Sequence, residues 1–186
     1  VAVTETNYAA VAQRIENAGA DLVITALEGT GIARLAQAFA QIDYRPAVPF
    51  YGAQTYGDAF LELAGDAAEG AILGITHPII EEASANPVLQ TFVDWYRRVN
   101  PGAPIDFFSF QGWVAADMLA DAIEQAGPAP TRDGVLAALR TFDTFDADGL
   151  VAPFDPAGKR NSACYLIATV RDGRWQRVHP AGSGFA

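Results

Sequence analysis

Two short polar loops carry the residue types best suited to holding a small molecule. They offer a carboxylate, an amide, two hydroxyl groups and an aromatic ring that we expect to be exposed. No nucleophile stands beside a base in either loop, so the chemistry indicated is binding rather than catalysis. The predicted ligand-contacting residues are Glu28, Gly29, Thr30, Gln54 and Tyr56. The alternative is that the glycines serve only the tight strand-to-helix turn that any α/β protein needs.

Other chemistries have little support. Gly29-Thr30-Gly31 begins like the dinucleotide motif G-x-G-x-x-G, but Arg34 stands where the third glycine should be. His77 and His179 lie far apart, and neither has a metal-ligating neighbour at helix or hairpin spacing. Because no serine-hydrolase motif is present either, we predict no cofactor, no metal and no enzymatic activity.

Composition limits the partners. The chain has 186 residues, of which 51% are hydrophobic, and its net charge is −10. A packed core is therefore expected, and nucleic acid is excluded as a partner because phosphate binding needs a basic face. No apolar run reaches the roughly 18–20 residues that span a bilayer. Cys164, the single cysteine, lies in an apolar run and is expected to be a buried, unreactive thiol.

The first half of the chain alternates strands with helices. Apolar runs at 22–27, 47–51 and 70–76 predict strands, and the segments 8–18, 32–41 and 56–64 have helical patterns. Residues 1–4 predict the end of an earlier strand. This alternation is typical of a parallel sheet with helices on both faces. Both candidate loops follow a strand and precede a helix, so they should lie at the same carboxyl edge of the sheet.

The second half has a different order. His77-Pro78 interrupts the alternation, and helices are predicted at 87–99, 109–126 and 131–141. The aromatic run 107–110 is expected to pack in the core, with the alternative that it lies under a cleft. Three strands are predicted at 149–154, 163–170 and 175–178, the last two joined through Asp172-Gly173.

Several stretches together resemble a known family. They are residues 15–24, 64–70, 112–127 and 149–154, and the hairpin within 165–177. This pattern resembles the periplasmic binding proteins of the Leu/Ile/Val-binding type, the receptors of branched-chain amino-acid ABC transporters. The resemblance implies the type I fold, in which two doubly wound parallel-sheet lobes close by a hinge on a ligand held between them. It also implies a periplasmic location and an ABC transporter permease as partner.

The resemblance also implies a division of the chain. Residues 1–76 and 158–186 correspond to the C-terminal lobe, and residues 77–157 return to the N-terminal lobe, most of which is absent from this sequence. The apolar faces of the helices at 109–126 and 131–141 should then be uncovered. The missing N-terminal part or a second chain is expected to cover them.

The predicted ligand departs from a standard amino acid. In amino-acid-binding members a tyrosine often lies in the loop that corresponds to Glu28-Gly29, and a glutamate that pairs with the ligand ammonium corresponds to Gln54. Here the tyrosine is absent and the glutamate is replaced by an amide, which puts a leucine-like ligand in doubt. Glu28 is one alternative partner for an ammonium group. An amino acid, an amide or a small carboxylate remains open, and so does a ligand-sensing module of the same fold in a receptor or regulator.

Overall fold

A central sheet organises the chain. The computed structural model describes residues 7–186, so the strand predicted at 1–4 lies outside the described residues. Within the described part, the sheet has five strands in the order β1-β2-β3-β4-β5. They are β1 (Leu22–Ile24), β2 (Val48–Tyr51), β3 (Ile72–Ile75), β4 (Leu166–Arg171) and β5 (Arg174–His179). Strands β1, β2 and β3 run parallel, and β4 and β5 are antiparallel to their neighbours.

Six α-helices surround the sheet in residues 7–186. They are α1 (Tyr8–Asn17), α2 (Gly29–Gln41), α3 (Asp58–Ala64), α4 (Pro87–Val99), α5 (Phe107–Ala126) and α6 (Arg132–Leu139). Their starts follow the local sequence, because polar side chains accept hydrogen bonds from the first-turn N–H groups. Asn86 caps α4 in this way, and Asp106 forms a capping box with Ser109 at α5.

One hydrophobic core joins the sheet to the helices of the second half. Leu73 and Trp175 from the sheet, Phe92 from α4 and Phe110 from α5 belong to the same buried cluster. A second cluster packs α1 and α2 against β1. Residues 77–165 leave the sheet after β3 and return at β4, where Ile75 and Leu166 are paired in register.

The strand predicted at 149–154 is wrong. The chain turns there instead, with positive φ angles of 57° at Asp148 and 84° at Gly149. Pro153 has no N–H to contribute to a ladder. Phe154 pairs only with Phe145 in an isolated bridge, and the Ala152 N–H donates to the Thr76 carbonyl at 2.7 Å.

The outer face of α5 is uncovered, as predicted. Leu119 and Ile123 are 47% and 40% exposed. The same expectation for α6 is wrong, because Val135, Leu136 and Leu139 are half-buried where α6 packs against α5. Large apolar side chains are also exposed on β1, where Ile24 is 69% exposed. Among the described residues, none of the helices has the length and apolar character needed to cross a membrane.

Candidate ligand-binding site

The two predicted loops meet at the carboxyl edge of the parallel strands. One follows β1, and the other is a short 3₁₀ turn, Ala53–Thr55, that follows β2. A Cβ placed on Gly29 would lie 3.3 Å from the backbone oxygen of Gln54. The Gln54 side-chain amide also donates to the Leu27 carbonyl. The structure therefore brings Glu28, Gly29, Thr30 and Gln54 together, as parallel strand order requires.

The Glu28 carboxylate closes the N-terminus of α2. It accepts hydrogen bonds from the Gly31 N–H at 2.8 Å, from the Thr30 N–H at 3.2 Å and from the Thr30 hydroxyl. These bonds, the Thr30 hydroxyl first, lower the pKa of Glu28, so its charge is retained at neutral pH. The helix N-terminus thus holds an anion from its own chain. Because Glu28 is exposed, the carboxylate can still accept a bond from a ligand N–H.

Gln54 braces the two loops. Its amide folds back over Gly52, where an added Cβ would lie 2.5 Å from the Gln54 Oε1 atom. Glycine at position 52 is therefore needed for this conformation. Since the Nε2 atom donates to Leu27, the Oε1 atom is the group of this side chain that remains able to accept a hydrogen bond.

Tyr56 lies behind the loops rather than at their surface. The ring is 2% exposed, so the expectation of an exposed aromatic is wrong. Its hydroxyl accepts from the Ile80 N–H at 2.7 Å, and its carbonyl accepts from the Phe107 N–H at 3.2 Å. Burial raises the pKa of Tyr56 well above its ordinary value. Tyr56 joins the sheet to the segments that begin after His77 and at α5.

A cavity of about 320 Å³ lies where residues 77–165 leave and rejoin the sheet, and Ala53, the residue before Gln54, lines it. The end of β3, the residues before β4, the first turns of α5 and the turn at 151–154 line it, and one side is open to solvent. Its lining residues are Ala53, Gly74, Ile75, Thr76, Phe107, Gln111, Val114, Val151, Ala152, Phe154, Asn161, Ser162 and Tyr165. None of these side chains carries a charge at neutral pH.

The sequence alone does not predict this cavity. It points to Gln54, which is adjacent in sequence to the lining residue Ala53. The aromatic run at the start of α5 gives a second indication of the cavity. One of its residues packs in the core and another lies at the cavity, which are the two interpretations given for this run. Phe110 is fully buried in the core, as favoured, whereas Phe107 lines the cavity. Asn161 and Tyr165 lie in the return segment, which gave no indication of a site before the fold placed it beside β3.

His77 is a core residue. It is fully buried, stacks on Phe110 with ring centroids 3.9 Å apart, and its Nδ1 atom donates to the Pro78 carbonyl at 2.9 Å. Burial lowers its pKa to about 4. Among residues 7–186, no three His, Cys, Asp or Glu side chains gather where a metal could bind. Cys164 is half-buried rather than buried, and its N–H donates to the Ser162 hydroxyl at 3.0 Å.

Solved structures share this fold. A leucine-binding protein from Thermotoga maritima matches with a TM-score of 0.75 and 22% identity, over 94% of this chain and 48% of that chain. A branched-chain amino-acid ABC transporter protein from Thermus thermophilus with bound valine has a TM-score of 0.75 and 21% identity, over 93% and 48% of the two chains. A fatty acid ABC transporter substrate-binding protein from Thermomonospora curvata has a TM-score of 0.80 and 20% identity, over 94% and 46%.

These comparisons confirm the predicted fold class. The chain spans about half the length of the solved proteins that it matches. A search of curated proteins gives no match. Residues 1–174 match the family described as periplasmic binding protein, whose members are substrate-binding proteins and not enzymes. The chain therefore belongs to the periplasmic binding protein family.

Proposed function

We propose that this protein is a periplasmic solute-binding receptor that delivers a small ligand to an ABC transporter permease. The observation that carries the proposal is the meeting of two acceptor-bearing loops and a cavity at one edge of the parallel strands. Ligands of open α/β sheets bind at this edge. Family membership and the fold shared with transporter receptors support the same function.

The receptor would have two lobes that close on the ligand. In this proposal residues 1–76 and 158–186 form the C-terminal lobe, and residues 77–157 belong to the N-terminal lobe. The cavity lies where these parts adjoin, so closure by a hinge would reduce its access to water. The remaining wall would come from protein outside this sequence, since the chain spans about half of its structural relatives.

The ligand contacts we assign are Glu28, Gly29, Thr30 and Gln54. Glu28 and the Gln54 Oε1 atom both accept hydrogen bonds, so they favour an N–H group on the facing end of the ligand. An ammonium or amide group meets this requirement, whereas a carboxylate at the same place would be repelled by Glu28. Tyr56, being buried, supports the Gln54 loop from behind instead of contacting the ligand.

A binding experiment on the protein made from its complete reading frame tests this function. The probes are L-leucine, L-valine, acetamide, phenylacetamide, octanamide and benzoate, measured by thermal shift and then by isothermal titration calorimetry. At least one probe should raise the melting temperature and bind saturably at one site. If none of the six binds, the receptor proposal is wrong for this ligand range.

A matched pair of variants locates the site. Glu28→Gln keeps an oxygen that can cap α2 but removes the charge, and it should weaken binding of an N–H-bearing probe by about tenfold. Glu62→Gln makes the same change on the exposed face of α3, away from the loops, and should leave binding unchanged. Equal effects of the two substitutions would contradict the assignment.

A further inference from the structure

We propose that the ligand carries a bulky, uncharged and apolar body, an aromatic ring or an aliphatic chain, that occupies the cavity beside α5. This inference rests on the proposed receptor function and names the class of compound received. A branched-chain amino acid is then a poor ligand. The argument uses the size of the cavity, the absence of charge in its lining and the placement of its few polar groups.

The cavity is too large for a short branched side chain. Its volume of about 320 Å³ is roughly twice the ~150 Å³ of an engineered cavity that takes up benzene. A substituted ring or a chain of several carbons fills such a space, whereas the isopropyl group of valine leaves most of it empty. Unfilled apolar space forfeits the dispersion contacts on which apolar binding depends.

The floor of the cavity is apolar and already desolvated. Ile75, Val114, Val151 and Ala152 are each less than 7% exposed, and they contribute only hydrocarbon side chains to the lining. The ring of Phe107 adds an aromatic surface on the side of α5. An apolar body placed here gains contacts with groups that lose little hydration when the ligand binds.

Two charged residues that precede the lining residues Asn161 and Ser162 form an ion pair. Asp155 and Arg160 lie just before Asn161 and Ser162 in sequence, and the Arg160 Nη2 and Nε atoms donate to the Asp155 Oδ2 atom at 2.5 and 2.9 Å. The Gly158 N–H and this arginine hold the pKa of Asp155 below its ordinary value. A charged ligand body would therefore lose its water without finding an unpaired opposite charge in the lining.

Neutral polar groups are present at defined points. Gln111 and Asn161 are exposed amides in the lining. The Ser162 oxygen accepts the Cys164 N–H, so its own O–H remains able to donate. These groups can satisfy a hydroxyl, carbonyl or amide substituent. They do not replace a counter-ion.

Calorimetry on the protein made from its complete reading frame tests the inference with three probes. Phenylacetamide presents a ring, octanamide presents a chain, and L-valine presents a small side chain with a zwitterionic end. We expect at least one amide to bind about tenfold or more tightly than L-valine, because its body fills the cavity. The stronger of the two amides identifies ring or chain as the preferred body.

Three variants locate the binding. Gln111→Glu introduces a charge at an exposed lining position and should weaken the favoured amide by about tenfold or more. Gln125→Glu makes the same change on α5 outside the lining and should not. Ala53→Leu fills part of the cavity and should weaken the amide more than it weakens L-valine.

The two proposals fail in different ways. L-valine binding as tightly as both amides, with loss in Glu28→Gln, would overturn the apolar-body inference while leaving the receptor function intact. Equal affinity of Gln111→Glu and Gln125→Glu for the favoured amide would show that the ligand does not bind in the cavity. That result is expected if side chains from another part of the protein fill the cavity. Failure of every probe to bind would refute both.

Discussion

Acid should destabilise this protein through His77, and the effect can be isolated. The imidazole is fully buried against Phe110, and burial lowers its pKa from the ordinary 6.5 to about 4. Between pH 4 and pH 6.5 the His77 imidazole is protonated in the unfolded chain but stays neutral in the native protein. The stability contributed by neutral His77 is therefore complete above pH 6.5 and is lost as the pH falls toward 4.

The size of the effect follows from the two pKa values. Each unit between them is worth about 1.4 kcal/mol, so the loss amounts to about 3 kcal/mol. Against a typical total stability of about 5–15 kcal/mol, this is large. Carboxyl groups act in the same pH range, since burial raises the pKa of Glu81 and hydrogen bonds lower that of Glu28. Subtracting the unfolding free energy of a His77 variant from that of the wild type at each pH removes the contribution of these carboxyl groups.

The substitution that isolates the imidazole is His77→Asn. The asparagine amide can still donate to the Pro78 carbonyl but does not titrate. Urea unfolding of wild type and variant between pH 7 and pH 4 should show the wild-type advantage shrinking by about 3 kcal/mol. The exposed His179→Asn serves as control and should keep the wild-type decline. A His77→Asn curve parallel to wild type would refute the reasoning.

Substitutions at three further positions have expected outcomes. Tyr56→Phe removes the hydroxyl that accepts the Ile80 N–H, so unfolding should become easier by about 1–2 kcal/mol and the Ile80 amide should exchange faster in hydrogen-exchange measurements. Unchanged exchange at that amide would contradict the contact. Arg177→Lys loses the two-point pair with Glu82, whose distances are both 2.6 Å, and should cost about 1 kcal/mol in urea unfolding. Glu69→Ala should lower the unfolding midpoint more than Glu69→Gln, because Glu69 accepts one N–H of the β4–β5 turn on each carboxylate oxygen and glutamine keeps only one of these acceptors. Equal midpoints for the two Glu69 variants would count against that account.

The elements that local chemistry specifies could be predicted. The alternation of strands and helices before His77 follows from short apolar runs separated by glycine and capping residues, and the structure has it. The hairpin at Asp172-Gly173 is likewise present, since both residues adopt positive φ angles of 53° and 69°. Parallel strand order then placed Glu28 and Gln54 at one edge without any knowledge of side-chain positions.

The remaining features depend on contacts between distant segments. Tyr56 is buried because His77, Phe110 and Trp175 surround its ring, and these residues lie 21 to 119 positions away in sequence. The folding back of Gln54 onto Gly52 is a side-chain conformation that no periodicity encodes. The cavity is lined by residues at the end of β3 and by residues just before β4, which are separated by about 90 positions in sequence. They become neighbours only once β4 has paired with β3.

The pairing of Ile75 with Leu166 has a consequence for how the chain is built. The two residues face each other on adjacent antiparallel strands, which is the arrangement at the end of a hairpin. The long segment between them is therefore topologically an insertion at a hairpin loop, and a turn of a few residues could bridge the same gap. The inserted part therefore leaves and re-enters the sheet at two backbone positions that lie side by side.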